Sequence, residues 1–128
     1  MKSRFALACV VMLMGVLLVS GVALAKNFTG TFRDDQISGT KRADTIKGRE
    51  GNDRLSGRSG PDEIIGGEDH DRIRGGNGSD ILRAADGQRD RIRCGSGFDR
   101  VYADPDRDSE LNTLDVVYFG CERVIVSR

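Results

Sequence analysis

The fold of this chain is decided by four consecutive frames of nine residues: GREGNDRLS (48–56), GRSGPDEII (57–65), GGEDHDRIR (66–74) and GGNGSDILR (75–83). Each frame opens with Gly, has Asp at its sixth place and has an aliphatic residue at its eighth place. The same register extends outward to residues 30–102 and makes eight frames, with one residue inserted in the seventh. A fixed short period of this kind predicts a repeat architecture and takes precedence over local propensity.

We number the frames one to eight, starting at residues 30, 39, 48, 57, 66, 75, 84 and 94. Their sixth-place Asp residues are Asp35, Asp44, Asp53, Asp62, Asp71, Asp80, Asp90 and Asp99. Their eighth-place residues are Ile37, Ile46, Leu55, Ile64, Ile73, Leu82, Ile92 and Val101. Gly permits tight chain reversal, and the last three places suit a short strand. Two frames therefore predict a closed coil, and coils should stack about 4.8 Å apart.

The pattern resembles the calcium-binding nonapeptide repeat of RTX proteins (haemolysin-type repeats), with the consensus GGxGxDxUx. GGNGSDILR matches every defined place, and GSGFDRVY (95–102) matches with Cys94 in place of the first Gly. The resemblance covers about 73 of 128 residues. It implies an all-β fold, a parallel β-roll (β-solenoid) of about four 18-residue coils. We expect residues 26–128 to form one calcium-binding β-roll domain, with repeats over 30–102 and a C-terminal β cap over 103–128.

The turns carry the oxygen atoms that Ca²⁺ prefers. Calcium binds about six to eight oxygens from carboxylates and main-chain carbonyls, and a G-x-G-x-D turn supplies both. Frames two apart lie above one another, so an ion between stacked turns would join Asp53 to Asp71, and Asp62 to Asp80. The inserted residue leaves the geometry at Asp90 open, and the alternative for every frame is that Asp only caps its turn. The predicted metal ligands are Asp53, Asp62, Asp71, Asp80, Asp90 and Asp99.

The first two frames depart from the consensus. They read GTFRDDQIS and GTKRADTIK, with Arg33 and Arg42 where the second motif Gly belongs. A cation beside the site and the loss of a residue suited to positive φ both weaken calcium binding. We therefore expect Asp35 and Asp44 to be turn residues of an N-terminal capping coil. In frame five Asp69 replaces Gly, and Asp tolerates the left-handed conformation better than most residues.

Residues 1–25 have the organisation of a secretory signal peptide. A basic start and an apolar run precede the small-x-small cleavage site Ala23-Leu24-Ala25. Cleavage would leave residues 26–128 as a secreted, extracellular chain. The alternative is an uncleaved membrane anchor, because about 20 apolar residues can span a bilayer. The remaining 18 basic and 20 acidic residues give a formal charge of −2, which argues against non-specific nucleic-acid binding.

The C-terminal cap contains a candidate disulfide. Export implies an oxidising compartment, and Cys94 and Cys121 would then tie the cap to frame eight; the alternative is two buried free thiols. Residues 104–115 superficially resemble an EF-hand loop but lack its required Gly and bidentate Glu, so we expect a solvated loop. Strands over residues 115–119 and 123–126 are expected to cover the open end of the roll.

The seventh and ninth places of each frame should point away from the core. One sheet then displays a set of arginines that we call the arginine ladder, formed by Arg54, Arg72, Arg74, Arg91 and Arg93. Like charges on neighbouring strands repel. The ladder is either a solvated face that prevents aggregation or a binding face for an anionic polysaccharide or a cell-envelope surface.

No constellation of catalytic residues is visible, and the single histidine, His70, lies in a turn, so we do not expect an enzyme. The sequence predicts an exported calcium-binding β-roll protein, monomeric, without membrane association after cleavage, in which Ca²⁺ is needed for folding. The alternative is an adhesion or glycan-binding module that uses the arginine ladder, with calcium purely structural.

Overall fold

The computed structural model describes residues 24–104, 116–118 and 120–126. These ranges are built from short β-strands, and none of their residues is helical. The strands are β1 (Lys26–Thr29), β2 (Gln36–Ser38), β3 (Asp44–Arg49), β4 (Arg54–Ser59), β5 (Glu63–Gly67), β6 (Arg72–Asn77), β7 (Ile81–Arg83), β8 (Arg91–Ser96), β9 (Arg100–Ala103), β10 (Val116–Val117) and β11 (Arg123–Val126).

Successive strands alternate between two parallel sheets. The first sheet has the order β1-β3-β5-β7-β9-β11, and the second has the order β2-β4-β6-β8-β10. Leu55 pairs with Ile73, 18 positions later, so one coil consists of two frames. Beyond the insertion the spacing becomes 19, as Arg72 pairs with Arg91, and the extra residue is accommodated in a turn. The parallel β-roll predicted from the sequence is confirmed.

The core lies between the two sheets and consists mainly of eighth-place side chains. The fully buried ones are Ile46, Leu55, Ile64, Ile73, Leu82, Ile92 and Val101. Phe28 and Ile37 at one end, and Val117 at the other, pack partly buried against them. A buried aliphatic side chain contributes about 2 kcal/mol, and each frame contributes only one. Stability therefore depends heavily on the turns.

The coil continues past both ends of the repeats. β1 precedes frame one, and its Phe28 pairs with Ile46 in the register of an eighth-place residue. At the other end β10 pairs with β8 and β11 pairs with β9, all parallel. A disulfide joins Cys94 to Cys121, with Cα atoms 5.3 Å apart. The predicted disulfide is thus present, and so are two strands in the predicted C-terminal segments.

Two expectations fall outside the described residues: the signal peptide, of which only Leu24 and Ala25 are described, and the EF-hand-like loop beyond Asp104. In the parts of the chain that are described, no helical segment has the length and hydropathy that crossing a bilayer requires.

Candidate metal centre

The sixth-place Asp of each frame stands at or directly before the start of a strand, and stacking of the coils arranges these residues in two columns. The first column contains Asp35, Asp53, Asp71 and Asp90; the second contains Asp44, Asp62, Asp80 and Asp99. Apart from Asp35, each of these Asp residues is at most 3% exposed. The turns therefore bury a row of carboxylates on each edge of the roll.

One oxygen of each carboxylate links consecutive coils. The main-chain N–H of Asp53 donates to Oδ1 of Asp71 at 2.8 Å, and the N–H of Asp71 donates to Oδ1 of Asp90 at 2.7 Å. In the second column the N–H of Asp80 donates to Oδ1 of Asp99 at 2.8 Å. The other stacked pairs make the same bond at 2.7 to 2.9 Å. Such charge-assisted bonds are about twice as strong as neutral ones, so Asp also sets the register of the coils.

The second oxygen is the unusual feature of these turns. Within the described residues, a buried Oδ2 without a hydrogen-bond partner occurs in Asp53, Asp62, Asp71, Asp80 and Asp99. Burying an unpaired polar atom is costly, and such atoms are rare unless water or an ion meets them. All five belong to the ligand set predicted from the sequence. The sixth predicted ligand, Asp90, is equally buried.

Several of these carboxylates share a gap with a main-chain carbonyl. A Cβ added to Gly75 would lie 2.5 Å from Oδ2 of Asp80 and 2.6 Å from the carbonyl oxygen of Cys94, one coil later. A Cβ on Gly57 would likewise meet Oδ2 of Asp62 and the carbonyl oxygen of Gly75. Glycine at the first place thus keeps open a gap that carboxylate and carbonyl oxygens line together. That donor set is the one Ca²⁺ prefers.

The geometry also limits which metal fits. The described ranges contain no group of three His, Cys, Asp or Glu side chains arranged to hold an ion. The donors along each column are carboxylate and main-chain carbonyl oxygens. Such oxygens suit calcium, which accepts about six to eight of them in a flexible geometry, better than zinc, which takes about four ligands rich in His and Cys.

Burial shifts the protonation of the same carboxylates. Desolvation raises the pKa of Asp71 to about 7 and the pKa of Asp62 to about 6, although a main-chain hydrogen bond lowers each. Desolvation also raises the pKa values of Asp53, Asp80 and Asp99. Neighbouring carboxylates add to the rise in every case. A cation in the column would favour the charged form and oppose this shift.

Comparison with known families identifies the frames. A sequence model of the RTX calcium-binding nonapeptide repeat, spanning four copies, matches residues 29–64 and residues 56–89. The frames within the matched residues are RTX calcium-binding nonapeptide repeats. The matched residues include Asp53, Asp62, Asp71 and Asp80 and end just before Asp90. Among curated proteins and solved structures, no match to the chain is found. RTX repeats are calcium-binding structural elements rather than catalytic ones.

The first two RTX frames satisfy their carboxylates internally. The N–H and the hydroxyl of Thr31 both donate to Oδ2 of Asp35, at 2.5 Å and 2.9 Å. Thr40 makes the same two bonds to Oδ2 of Asp44, at 2.5 Å and 2.9 Å. Sequence reasoning set these frames apart because of their arginines. The threonine at the second place, which occurs only in these two frames, is the sequence feature that marks the internal hydrogen bonds, and the sequence analysis overlooked it.

The RTX frames from three onward use a different turn. Positive φ occurs at the second place in Arg49 (93°) and Arg58 (78°), and at the fourth place in Asp69 (79°). The prediction that Asp69 tolerates this conformation is confirmed. Arg33 and Arg42 are not among the described residues with positive φ. The two kinds of turn thus differ in backbone conformation as well as in hydrogen bonding.

Glu122 extends the second column and was missed at the sequence level. Its Oε2 accepts the main-chain N–H of Asp99 at 2.8 Å, as each Asp does for the Asp one coil earlier. It stands directly before β11, and its charge helps to raise the pKa of Asp99. The signal lies in the order Glu122-Arg123-Val124, which repeats the D-x-U pattern with Glu for Asp.

Two further sequence interpretations concern single residues. His70 is exposed, as expected, and its Nδ1 donates to the carbonyl oxygen of Arg89 at 3.0 Å.

Asp90 keeps its place in the first column because the inserted residue is absorbed by the turn between Ala84 and Asp90. In that turn Oδ2 of Asp104 accepts the N–H of Asp86 at 2.9 Å.

Proposed function

We propose that this protein is an exported calcium-binding β-roll that requires Ca²⁺ to complete its folding. The observation that carries this proposal is the set of buried Oδ2 atoms that lack partners in the frames with RTX-type turns. In frames one and two a threonine fills that role. A column that leaves several carboxylate oxygens unpaired is favourable only with a counter-charge.

The ligands we propose are the stacked carboxylates of each column with the turn carbonyls between them. The pairs are Asp53 with Asp71, Asp71 with Asp90, Asp62 with Asp80, and Asp80 with Asp99. We add Glu122 as the partner of Asp99 at the end of the second column. When bound, Ca²⁺ supplies the positive charge that the columns lack. The Oδ1 atoms meanwhile hold the coils in register, and the first-place glycines keep the gaps open.

Folding and calcium binding are coupled because the core is thin. One aliphatic side chain per frame offsets little of the entropy of ordering nine residues, which costs about 1–2 kcal/mol each. Ligand binding to the folded state alone stabilises it in proportion to the logarithm of the ligand concentration. We expect affinities near those of other extracellular calcium modules, about 10⁻⁴–10⁻³ M.

The test is calcium binding to the oxidised chain, measured by isothermal titration calorimetry with magnesium as the control ion. We expect several calcium sites and weak magnesium binding, since Mg²⁺ demands a near-octahedral shell and gives up its waters reluctantly. The absence of calcium binding at millimolar concentrations would overturn the proposal.

Export is the second part of the proposal, and the start of the fold supports it. β1 begins at Lys26, the first residue after the predicted cleavage site, and its main-chain nitrogen lies 3.2 Å from Oδ1 of Asp44. A chain cleaved there would place its new α-ammonium group beside that carboxylate. N-terminal sequencing of the protein from culture medium should begin at Lys26; a chain beginning at Met1 would contradict cleavage. We further propose a monomeric binding protein rather than an enzyme.

A further inference from the structure

The outer face of the second sheet carries the arginine ladder in direct register. Arg54 pairs with Arg72, Arg72 pairs with Arg91, and Arg74 pairs with Arg93. All five side chains are exposed. Parallel strands lie about 4.8 Å apart, and alternate residues on one strand lie about 6.6 Å apart. The five arginines therefore form a regular array of positive charge on one face of the sheet.

Within the described residues, none of the five ladder arginines forms an ion pair. In the described part of the chain one ion pair is found, between Arg83 Nε and Glu63 Oε1 at 3.1 Å, and it lies on the first sheet. There Arg83 also covers the ring of Tyr102, with its Cζ 4.6 Å from the ring centre. The first sheet thus mixes charges at its outward places, whereas the second sheet stacks like charges, which is unfavourable on neighbouring strands.

Two surface grooves run along the ladder. One, of about 250 Å³, lies among Arg72, Arg74, Arg91, Arg93 and Tyr118. The Tyr118 ring lies against Arg93, whose Cζ is 4.8 Å from the ring centre, and this contact helps to hold the guanidinium in place.

The larger groove, of about 580 Å³, follows the turns before β2, β4, β6 and β8. Asp34 and Asp35 line its N-terminal end, Asp53 and Asp71 line its middle beside Arg54 and Arg72, and Arg89 and Arg91 line its C-terminal end. The carboxylates among these lining residues end at Asp71, so an anion is least opposed at the C-terminal end, which shares Arg91 with the smaller groove.

We propose that the arginine ladder binds a linear acidic polysaccharide whose successive sugars carry carboxylates. The planar guanidinium fork matches a carboxylate in two hydrogen bonds. The ladder extends over three strands, about 10 Å, which is more than one small anion can span, so a polymer uses it better. Among the described residues, the exposed large apolar ones are Leu24, Phe32, Phe98, Val124 and Val126, and all lie outside the strands of the second sheet. The described strands of this face therefore favour a charged partner over a lipid surface.

This inference goes beyond calcium binding and requires only that the roll is folded. The experiment uses the oxidised chain at saturating calcium, with folding checked by circular dichroism. The probe is a short oligogalacturonate, and its methyl ester is the uncharged control. The test variant is Arg54→Gln with Arg72→Gln and Arg91→Gln. The matched control variant is Arg83→Gln with Arg100→Gln and Arg123→Gln, which removes the same charge from the first sheet.

We expect the acidic oligomer to bind, its methyl ester not to bind, and added salt to weaken the interaction. The ladder variant should lose about tenfold in affinity, as expected for three exposed ion pairs, and the first-sheet variant should lose little. Equal losses in the two variants, or equal binding of the ester, would overturn the proposal. Binding of polyphosphate or anionic vesicles in preference to the oligogalacturonate would overturn the choice of polysaccharide. Each result is read on folded, calcium-loaded protein, so a failure here is distinct from a failure of calcium binding.

Discussion

Frames one and two and frames three to six have the same strand positions and the same inward Asp, but the partner of Oδ2 differs. In frame two, Thr40 donates two hydrogen bonds to Oδ2 of Asp44. In frame four, the corresponding place holds Arg58, and Oδ2 of Asp62 has no partner. The gap beside the first glycine is present in both, at Gly39 and at Gly57. The two turns thus differ in whether Oδ2 has hydrogen-bond partners within its own frame.

The comparison extends to the whole roll. The N-terminal coil is held by its own side chains, and the C-terminal end is held by the disulfide between Cys94 and Cys121. Closing a loop of this size stabilises the folded chain by about 3–4 kcal/mol in the chain-entropy account. Between these ends, Asp53, Asp62, Asp71 and Asp80 each bury an Oδ2 atom without a hydrogen-bond partner. We expect calcium to act mainly on this middle section.

The largest expected effect separates the middle frames from the first. Asp71→Asn or Asp80→Asn should raise the calcium midpoint of folding by about tenfold or more, because a bond to a charged group is worth about 1.5–3 kcal/mol. Asp35→Asn should shift it little, because Thr31 already satisfies Asp35. The midpoint is read from circular dichroism during calcium titration. Equal shifts at the three positions would contradict the site assignment.

Pairs of substitutions sharpen the same comparison. Asp62→Asn with Asp80→Asn should be non-additive, since these residues are stacked in one column. Asp62→Asn with Asp71→Asn should be closer to additive, since they belong to different columns. Stronger coupling between adjacent frames than between alternate frames would show that the ions are shared differently.

Conversion of frame two should add a site. Thr40→Gly with Arg42→Gly gives this frame the full RTX consensus and removes the hydroxyl bond to Asp44. We expect one additional calcium ion by calorimetry and a loss of about 1 kcal/mol in the stability of the calcium-free chain. Thr40→Val is the control, because it removes the hydroxyl and keeps Arg42. An unchanged number of ions in the double variant would mean that the turn type does not decide binding.

Protonation of the buried carboxylates should partly replace calcium in stabilising the fold. The folded-state pKa values of Asp71 and Asp62 are raised from 3.8 to about 7 and about 6. Because these pKa values are higher in the folded chain than in the unfolded chain, protonation stabilises the fold. This stabilisation is fully present below the unfolded pKa and is lost as the pH rises through about 6 to 7. Chelated protein should gain β structure by circular dichroism between about pH 7.5 and about pH 5. Asp62→Asn with Asp71→Asn should flatten this dependence, and a loss of β structure on acidification would oppose it.

The smallest effect concerns the strained second places. Arg49→Gly and Arg58→Gly should each stabilise the calcium-loaded protein by up to about 1 kcal/mol, because their φ values are positive. Arg33→Gly makes the same residue change at the fourth place of a turn without positive φ, and it should give no gain. Guanidinium unfolding at saturating calcium measures the difference. A gain at Arg33 as large as at Arg58 would remove backbone strain as the reason.

The repeat period predicts much of this molecule, because period and pairing are linked directly. Each nine-residue frame places one side chain inward. This period is enough to predict the 18-residue coil, the outward arginine ladder and the position of the inserted residue. The inward Asp side chains at the turns follow less directly. Which atom meets Oδ2 depends on turn conformation, and the turns that contain Thr31 and Thr40 differ from the later turns in both conformation and hydrogen bonding.

The ends of the roll were the least predictable part. Phe28 continues the eighth-place register without a preceding Gly-rich turn, so the periodic pattern does not include it. The turn that leads to Glu122 is shorter than the turns of the nine-residue frames. In this turn Gly120 lies over Gly95. Both residues depend on contacts between coils, which a nine-residue period does not encode.

We expect folding to depend on calcium because five buried carboxylate oxygens in the described residues lack hydrogen-bond partners. Far-ultraviolet circular dichroism of the oxidised chain from residue 26, first in excess chelator and then titrated with calcium, tests it most directly. We expect a largely unstructured spectrum in chelator at neutral pH and a cooperative appearance of β structure at about 10⁻⁴–10⁻³ M calcium, with no comparable change on adding magnesium. A β-rich spectrum that is the same with chelator and with calcium would contradict it.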